Sequence, residues 1–175
     1  MINPGQPFPH FSTSACVSLT DGKEFATVNS ADFAGKWIVL YTYPKDFTFV
    51  CPTEIAEFDR QRSALEQRGA VLLGGSTDNE YSHLAWRKSE EMLQGLGHPL
   101  LFISPAIANS LGLLHPVAGV ALRATFIVDP KGVVRFASSQ DLSAGRNVEE
   151  VVRVLDALQS GGLTACNWKR GDANL

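Results

Sequence analysis

The sequence lacks the features that mark membrane, secreted and nucleic-acid-binding proteins. No apolar run approaches the length of about 20 residues that crosses a bilayer, and residues 1–7 show neither a charged n-region nor an apolar h-region. Basic residues form no run and no stripe with aromatic residues, and the net charge is −3. We therefore expect a cytoplasmic protein that has neither a membrane nor a nucleic acid as a partner.

Cysteine and histidine are also scarce, with three and four residues respectively. In a cytoplasmic chain, three cysteines are more often catalytic or free than structural. No second histidine follows His83 at metal-ligand spacing, so we predict no metal site and no cofactor. Surface or packing roles are expected for the histidines, which are His10, His83, His98 and His115. The run Gly74-Gly75-Ser76 lacks both the Walker spacing and the dinucleotide fingerprint, which argues against a phosphate loop.

Strand and helix patterns alternate along 175 residues, enough for one domain with a sizeable core. The segment 1–12 indicates an extended arm, and Asp78 is the expected N-cap of the second helix. Strands are predicted at 16–19, 25–28, 37–41, 70–76, 100–104, 122–130 (ending at a turn) and 133–136. Helices are predicted at 51–68, 79–94, 105–111 and 148–158. The pattern predicts a three-layer α/β domain with a mixed sheet.

Cys51 lies where the loop after strand 37–41 leads into a helix. The helix dipole and unpaired N–H groups at that position favour the thiolate. Pro52 suits the first helical position, Thr48 can place a hydroxyl near the sulfur, and Pro44 can stiffen the loop and shield the thiol. The alternative is a buried cysteine that only fills the core, and this context favours a nucleophile instead.

The pattern Pro44-x-x-x-Thr48-x-x-Cys51 resembles the active-site signature of peroxiredoxins. Residues 43–54 resemble the typical 2-Cys branch, most closely bacterial alkyl hydroperoxide reductase C. The likeness covers nearly the whole chain, including residues 82–86 and 165–172. It implies a thioredoxin-like fold with an N-terminal extension, and a peroxidase that reduces hydrogen peroxide and alkyl hydroperoxides through a Cys51 sulfenic acid.

The resemblance also implies supporting residues around Cys51. Arg123 aligns with the active-site arginine of the family, whereas its other interpretation is a salt bridge at the surface. Glu54 either orients Arg123 or Arg146, or supplies a first-turn charge to the helix dipole. Trp86 is expected in the core or in the wall of the active site.

Cys166 is the candidate for resolving the sulfenic acid as a disulfide. In most of the family the resolving cysteine stands four residues before the tail tryptophan, where this chain has Thr164. Cys166 stands two residues before Trp168, so resolution by Cys166 is a hypothesis. Cys16, which has neither a helix start nor a charged neighbour in sequence, is expected to be structural.

The resemblance implies a homodimer that shares this disulfide between subunits and assembles into a ring such as a decamer. The expected electron donor is a thioredoxin-like, CxxC-bearing or flavoprotein reductase. We expect one domain over 1–175, with 159–175 as a tail that carries the resolving cysteine. Three alternatives are a one-cysteine peroxidase using an external thiol, a ring-forming holdase for unfolded proteins, and a dithiol oxidoreductase. The last would require Cys-x-x-Cys, whereas residues 48–51 are Thr-Phe-Val-Cys.

Overall fold

The computed structural model describes residues 1–175 and shows strands and helices in alternation. The strands are β1 (Ser12–Cys16), β2 (Phe25–Asn29), β3 (Trp37–Thr42), β4 (Ala70–Ser76), β5 (Leu100–Phe102), β6 (Arg123–Val128) and β7 (Val134–Gln140). The helices are α1 (Cys51–Arg60), α2 (Arg62–Glu66), α3 (Glu80–Ser89), α4 (Pro105–Leu111) and α5 (Val148–Gln159). None of these helices has the length and apolar character that crossing a bilayer requires.

All seven strands form one sheet in the order β2-β1-β5-β4-β3-β6-β7. β4 pairs in parallel with both β3 and β5, whereas the other pairs of neighbours are antiparallel. Parallel neighbours need a crossover connection, and α1 and α2 provide the one between β3 and β4. The mixed sheet predicted from the sequence is therefore confirmed.

Alternate residues of β3 enter two apolar cores on opposite faces of the sheet. Val39 and Tyr41 pack in one core with residues of α1, α3 and α5. Ile38 and Leu40 pack in the other core with residues of α4. Because strand side chains alternate between faces, a strand covered on both sides is apolar throughout. The three layers bring Cys51, the first residue of α1, into the first core.

The helix predicted over 51–68 is divided at Gln61, whose ψ is −3°. Leu65 N still donates to Gln61 O at 3.0 Å, so the backbone hydrogen bonding continues across the division. Gly69, with a φ of 68°, ends the segment in the left-handed region, a conformation typical of the residue that follows a helix.

The first strand differs from the prediction at 16–19, because β1 covers Ser12–Cys16. Val17 N donates to Glu24 O at 2.8 Å, so the chain already turns towards β2 after Cys16. The residues of β1 are mostly small and polar, and the strand is specified by its pairing with both β2 and β5 rather than by an apolar pattern.

The N-cap of α3 is Asn79 rather than the predicted Asp78. The side chain of Asn79 accepts a hydrogen bond from Ser82 N at 3.0 Å. Asp78 instead accepts from the backbone N–H of Asp46 at 2.9 Å, which ties it to the loop before Cys51. The helix predicted over 79–94 ends at Ser89, and a 3-10 turn, Glu91–Leu93, follows.

Candidate active site

Cys51 begins α1 at the end of the loop that follows β3, and its side chain is fully buried. The loop turns at Phe47, whose φ of 56° is in the left-handed region, and Pro44 is buried within it. The N–H groups of the first helical turn and the positive end of the helix dipole favour an anion at this position. The structure thus places Cys51 at the helix start that the sequence predicted.

Arg123 is the residue that contacts the sulfur. Its Nη1 lies 3.3 Å from Cys51 Sγ and also donates to Glu54 Oε2 at 2.6 Å. Its Nε donates to the carbonyl oxygen of Leu142 at 2.7 Å, which holds the plane of the guanidinium. Arg123 is only 4% exposed, so its guanidinium is almost completely shielded from water. Its partner is a buried carboxylate and not a surface one.

Glu54 joins Arg123 to Arg146, the second predicted arginine. Arg146 donates to Glu54 Oε1 from Nε at 2.8 Å and from its backbone N–H at 2.9 Å, and to Oε2 from Nη2 at 2.9 Å. Nη1 of Arg146 donates to Thr42 O at 2.8 Å and to Ala124 O at 2.7 Å. Glu54 therefore orients both arginines while it also lies in the first turn of α1.

The side chains around Cys51 carry a net positive charge. Arg123 and Arg146 carry two positive charges, Glu54 carries one negative charge, and all three side chains are nearly inaccessible to water. A buried excess charge is costly when no opposite charge compensates it. This excess positive charge is directed at Cys51 Sγ, which Arg123 Nη1 contacts.

Two further predicted residues contact the loop. The hydroxyl of Thr48 donates to Lys45 O at 2.9 Å, so in this structure it holds the loop backbone instead of contacting the sulfur. Trp86 is 2% exposed and packs in the same apolar core as Cys51, with its ring 6.0 Å from that of Phe47. Trp86 thus belongs to the core and also contacts the active-site loop.

Asp46 and His83 form a buried pair beneath the loop that the sequence analysis did not identify. His83 Nδ1 lies 2.8 Å from Asp46 Oδ2, and Nε2 lies 3.1 Å from Leu101 O. Tyr43 donates its hydroxyl to Asp46 Oδ1 at 2.9 Å. In the sequence, the available sign of this pair was the carboxylate of Asp46 among the aromatic residues of the loop. The pair fastens the loop to α3 and the sheet.

Comparison with known proteins decides the family. The sequence profile of the AhpC/TSA family matches residues 4–137. The chain belongs to the AhpC/TSA family. It is 46% identical to alkyl hydroperoxide reductase C of Mycolicibacterium smegmatis, over 100% of this chain and 94% of that protein. It is also 41% identical to a thioredoxin peroxidase of Fasciola hepatica, over 97% of this chain and 89% of that protein.

Solved structures of AhpC/TSA family relatives share the fold. Mycobacterium tuberculosis AhpC superposes with a TM-score of 0.88 at 42% identity, covering 97% of this chain and 99% of that chain. The reduced 2-Cys peroxiredoxin of Plasmodium vivax superposes with a TM-score of 0.91 at 35% identity, covering 99% and 93%. The predicted thioredoxin-like fold is thereby confirmed.

In this AhpC/TSA family member, the second candidate thiol, Cys166, lies away from the group of side chains around Cys51. Cys166 is exposed at the corner of a turn over 165–168, which Trp168 N closes by donating to Ala165 O at 3.2 Å. Asn167 adopts a φ of 58°, a conformation that asparagine tolerates better than most residues. Cys51 and Cys166 are both free thiols and do not contact each other.

The turn that carries Cys166 is anchored to α5. Trp168 is 6% exposed, and its carbonyl oxygen accepts a hydrogen bond from Arg153 Nη1 at 3.0 Å. The indole N–H of Trp168 donates to Asp172 O at 3.2 Å. Beside this anchor an open groove of about 900 Å³ has Arg135, Arg153 and Cys166 among its lining residues. The tail is therefore docked on its own chain.

Cys16 lies apart from both thiols, fully buried in β1. Its sulfur is 3.6 Å from Arg87 Nη1, and burial raises its pKa although Arg87 acts in the opposite direction. A protonated, inaccessible thiol agrees with the structural role predicted for Cys16. Elsewhere in the chain, no three His, Cys, Asp or Glu side chains gather as metal ligands do.

Proposed function

We propose that the protein reduces hydrogen peroxide and alkyl hydroperoxides with Cys51 as the peroxidatic thiol. The observation that carries the proposal is the 3.3 Å contact between Arg123 Nη1 and Cys51 Sγ among buried side chains whose net charge is positive. Relatives named alkyl hydroperoxide reductase C and thioredoxin peroxidase confirm the class of thiol peroxidase predicted from the sequence.

The first step is a displacement at oxygen. The Cys51 thiolate attacks one peroxide oxygen, an S–O bond forms, the O–O bond breaks, and the departing oxygen leaves with a proton as an alcohol or water. Arg123 donates to the oxygens as negative charge moves onto them, and the Cys51 N–H is a second donor. In the proposal Thr48 turns its hydroxyl from the loop to the peroxide, and Pro44 keeps bulk water from the sulfur.

The second step converts the Cys51 sulfenic acid into a disulfide. The Cys166 thiolate attacks the Cys51 sulfur, an S–S bond forms, and the hydroxyl leaves as water. A dithiol donor, which we propose to be a thioredoxin-like, CxxC-bearing or flavoprotein reductase, then reduces the disulfide by exchange. Since the two thiols do not meet within one chain, we propose that the disulfide joins two subunits of a homodimer.

We further propose that dimers assemble into a ring such as a decamer. Phe49 and Phe47 beside the active-site loop are 94% and 59% exposed, which suits a surface that another subunit covers. In this arrangement residues 1–175 act as one domain whose tail, 159–175, reaches the neighbouring subunit. Three unpaired thiols fit a reducing compartment such as the cytoplasm.

The test is a non-reducing gel of wild type, Cys51→Ser, Cys166→Ser and the matched control Cys16→Ser after one equivalent of peroxide. We expect a covalent dimer in wild type and Cys16→Ser, and none in the other two variants. A dimer that persists in Cys166→Ser would show that Cys166 is not the partner and would make Cys16 the suspect. If no protein forms a dimer while Cys51 becomes a sulfenic acid, the enzyme uses an external thiol. If Cys51→Ser consumes peroxide as wild type does, the proposed function is wrong.

A further inference from the structure

A second polar cluster lies behind the arginines of the active site, formed by the buried Tyr41 and His98 and by Asp59, whose side chain is partly exposed. The Tyr41 hydroxyl is 2.6 Å from His98 Nε2, and His98 Nδ1 is 2.9 Å from Asp59 Oδ1. Tyr41 is 0% and His98 2% exposed, so the hydrogen bond between them is shielded from water. None of the three residues belongs to the site predicted from the sequence.

The direction of each hydrogen bond follows from the charge states. Burial raises the pKa of Asp59, but hydrogen bonds from His98 and from the N–H of Gly97 outweigh it and leave that pKa below its ordinary value. The carboxylate is therefore an acceptor, and His98 Nδ1 carries the hydrogen. Burial lowers the pKa of His98, so its ring is neutral at pH 7 and Nε2 accepts from Tyr41. Burial also raises the pKa of Tyr41 well above its ordinary value, which keeps the phenol protonated.

These bonds fix the position of an aromatic ring that supports Arg146. The rings of Tyr41 and Phe58 are stacked with centroids 4.0 Å apart and planes 4° apart. The guanidinium carbon of Arg146 lies 5.4 Å from each of the two ring centroids, within the range of a cation–π interaction. On β4, Gly74 leaves room for the ring, because a Cβ at that position would collide with the Tyr41 hydroxyl.

We propose that Tyr41, His98 and Asp59 form a positioning triad that holds Arg146, and through Glu54 holds Arg123 against Cys51. The path is continuous, since Arg146 and Arg123 both donate to the carboxylate of Glu54. Tyr41 and His98 make no hydrogen bond to the Cys51 sulfur, whose donor is Arg123, so we infer that they act on the reaction through the arginines. The proposal rests on the proposed role of Cys51 as the peroxidatic thiol.

The test is made in a Cys16→Ser, Cys166→Ser background, where Cys51 is the only thiol. Tyr41→Phe removes the hydroxyl and keeps the ring, and Tyr81→Phe is the matched control, because Tyr81 is 65% exposed. We measure the single-turnover rate with hydrogen peroxide and the rate of iodoacetamide alkylation from pH 5 to pH 9. Losing one buried hydrogen bond is expected to slow the peroxide reaction about three- to tenfold at pH 7. Tyr41→Phe should also shift the dependence of the alkylation rate on pH to higher pH, whereas Tyr81→Phe should leave both rates unchanged.

His98→Gln is the conservative rescue, because its amide donates to Asp59 and accepts from Tyr41. It should stay within about twofold of the parent, whereas His98→Leu should resemble Tyr41→Phe. If Tyr41→Phe leaves both rates unchanged while Cys51→Ser is inactive, the triad proposal is wrong and the proposed function stands. A uniform loss at every pH, with an unshifted profile, would indicate general misfolding and overturn the triad. Activity in Cys51→Ser would overturn both.

Discussion

Replacing Glu54 by glutamine should be among the most destabilising single changes that this chain can undergo. The carboxylate accepts four hydrogen bonds from the two arginines, at distances between 2.6 and 2.9 Å. Glutamine has nearly the same shape but no charge, and its amide group meets donors where an acceptor is needed. The variant therefore buries two guanidinium groups with no carboxylate between them.

The magnitude follows from the burial of the network. Removing one partner of a buried ion pair costs about 3–5 kcal/mol, because the remaining charge is left uncompensated. For a domain of 150–250 residues, each kcal/mol lowers the melting temperature by about 2–4 °C. We therefore expect Glu54→Gln to melt about 6–20 °C below wild type. Its peroxide reaction should also slow, since Arg123 loses the group that orients it.

The matched control is Glu57→Gln, one turn further along α1. Glu57 pairs with Arg60 on the same helix, and the Arg60 side chain is 73% exposed. Such a surface pair contributes about 0–1 kcal/mol, so the control should melt close to wild type. Thermal unfolding of the reduced proteins, followed by circular dichroism, measures both. If Glu54→Gln melts within about 2 °C of the control, the buried network does not carry the stability assigned to it.

Two other predictions concern pH and the tail. Burial holds the folded-state pKa of His98 below its ordinary value of 6.5, so the unfolded chain binds the proton more readily and stability falls as the pH drops through that value. The free energy of unfolding changes by at most about 1.4 kcal/mol per pH unit from this one group. Urea unfolding from pH 7.5 to pH 5 should show a weaker pH dependence in His98→Gln than in wild type. An equal pH dependence in the two proteins would contradict the role assigned to His98. Arg153→Gln removes one hydrogen bond of the anchor, so it should weaken the docking of the tail and speed formation of the Cys51–Cys166 disulfide about two- to tenfold. It should not change the reaction of Cys51 with peroxide. Rapid-quench counting of thiols measures this against Arg60→Gln, whose side chain is 73% exposed on α1, away from the tail. Slower disulfide formation in Arg153→Gln would show that the anchor assists resolution.

Local features were predictable from the sequence because neighbouring residues specify them. Cys51 at a helix start needed only an apolar strand, a proline-bearing loop and a helical pattern. The helix at Pro105–Leu111 was predicted with its observed bounds, because proline and glycine mark its two ends. The mixed sheet followed from the alternation of strands and helices.

Contacts between distant residues were not predictable in the same way. Glu54 is 69 positions from Arg123 and 92 from Arg146, so its role stayed open between the arginine network and the helix dipole. Tyr41 and His98 are 57 positions apart, and no local pattern in the sequence connects them. The fold brings the partners together because β3, α1 and β6 are neighbours in space.

The short spacing between Cys166 and its anchor at Trp168 limits how far the tail thiol can reach. An extended chain spans at most about 3.6 Å per residue, so Cys166 reaches about 7 Å from a docked Trp168, whereas position 164 would reach about 14 Å. The sulfur of Cys51 is fully buried, and the short tether limits the reach of Cys166, so in the proposed cycle we expect the tail to leave α5 before the two thiols meet. In the proposed cycle the release of the anchor formed by Arg153 and Trp168, rather than the chemistry of the thiol, therefore controls the second step.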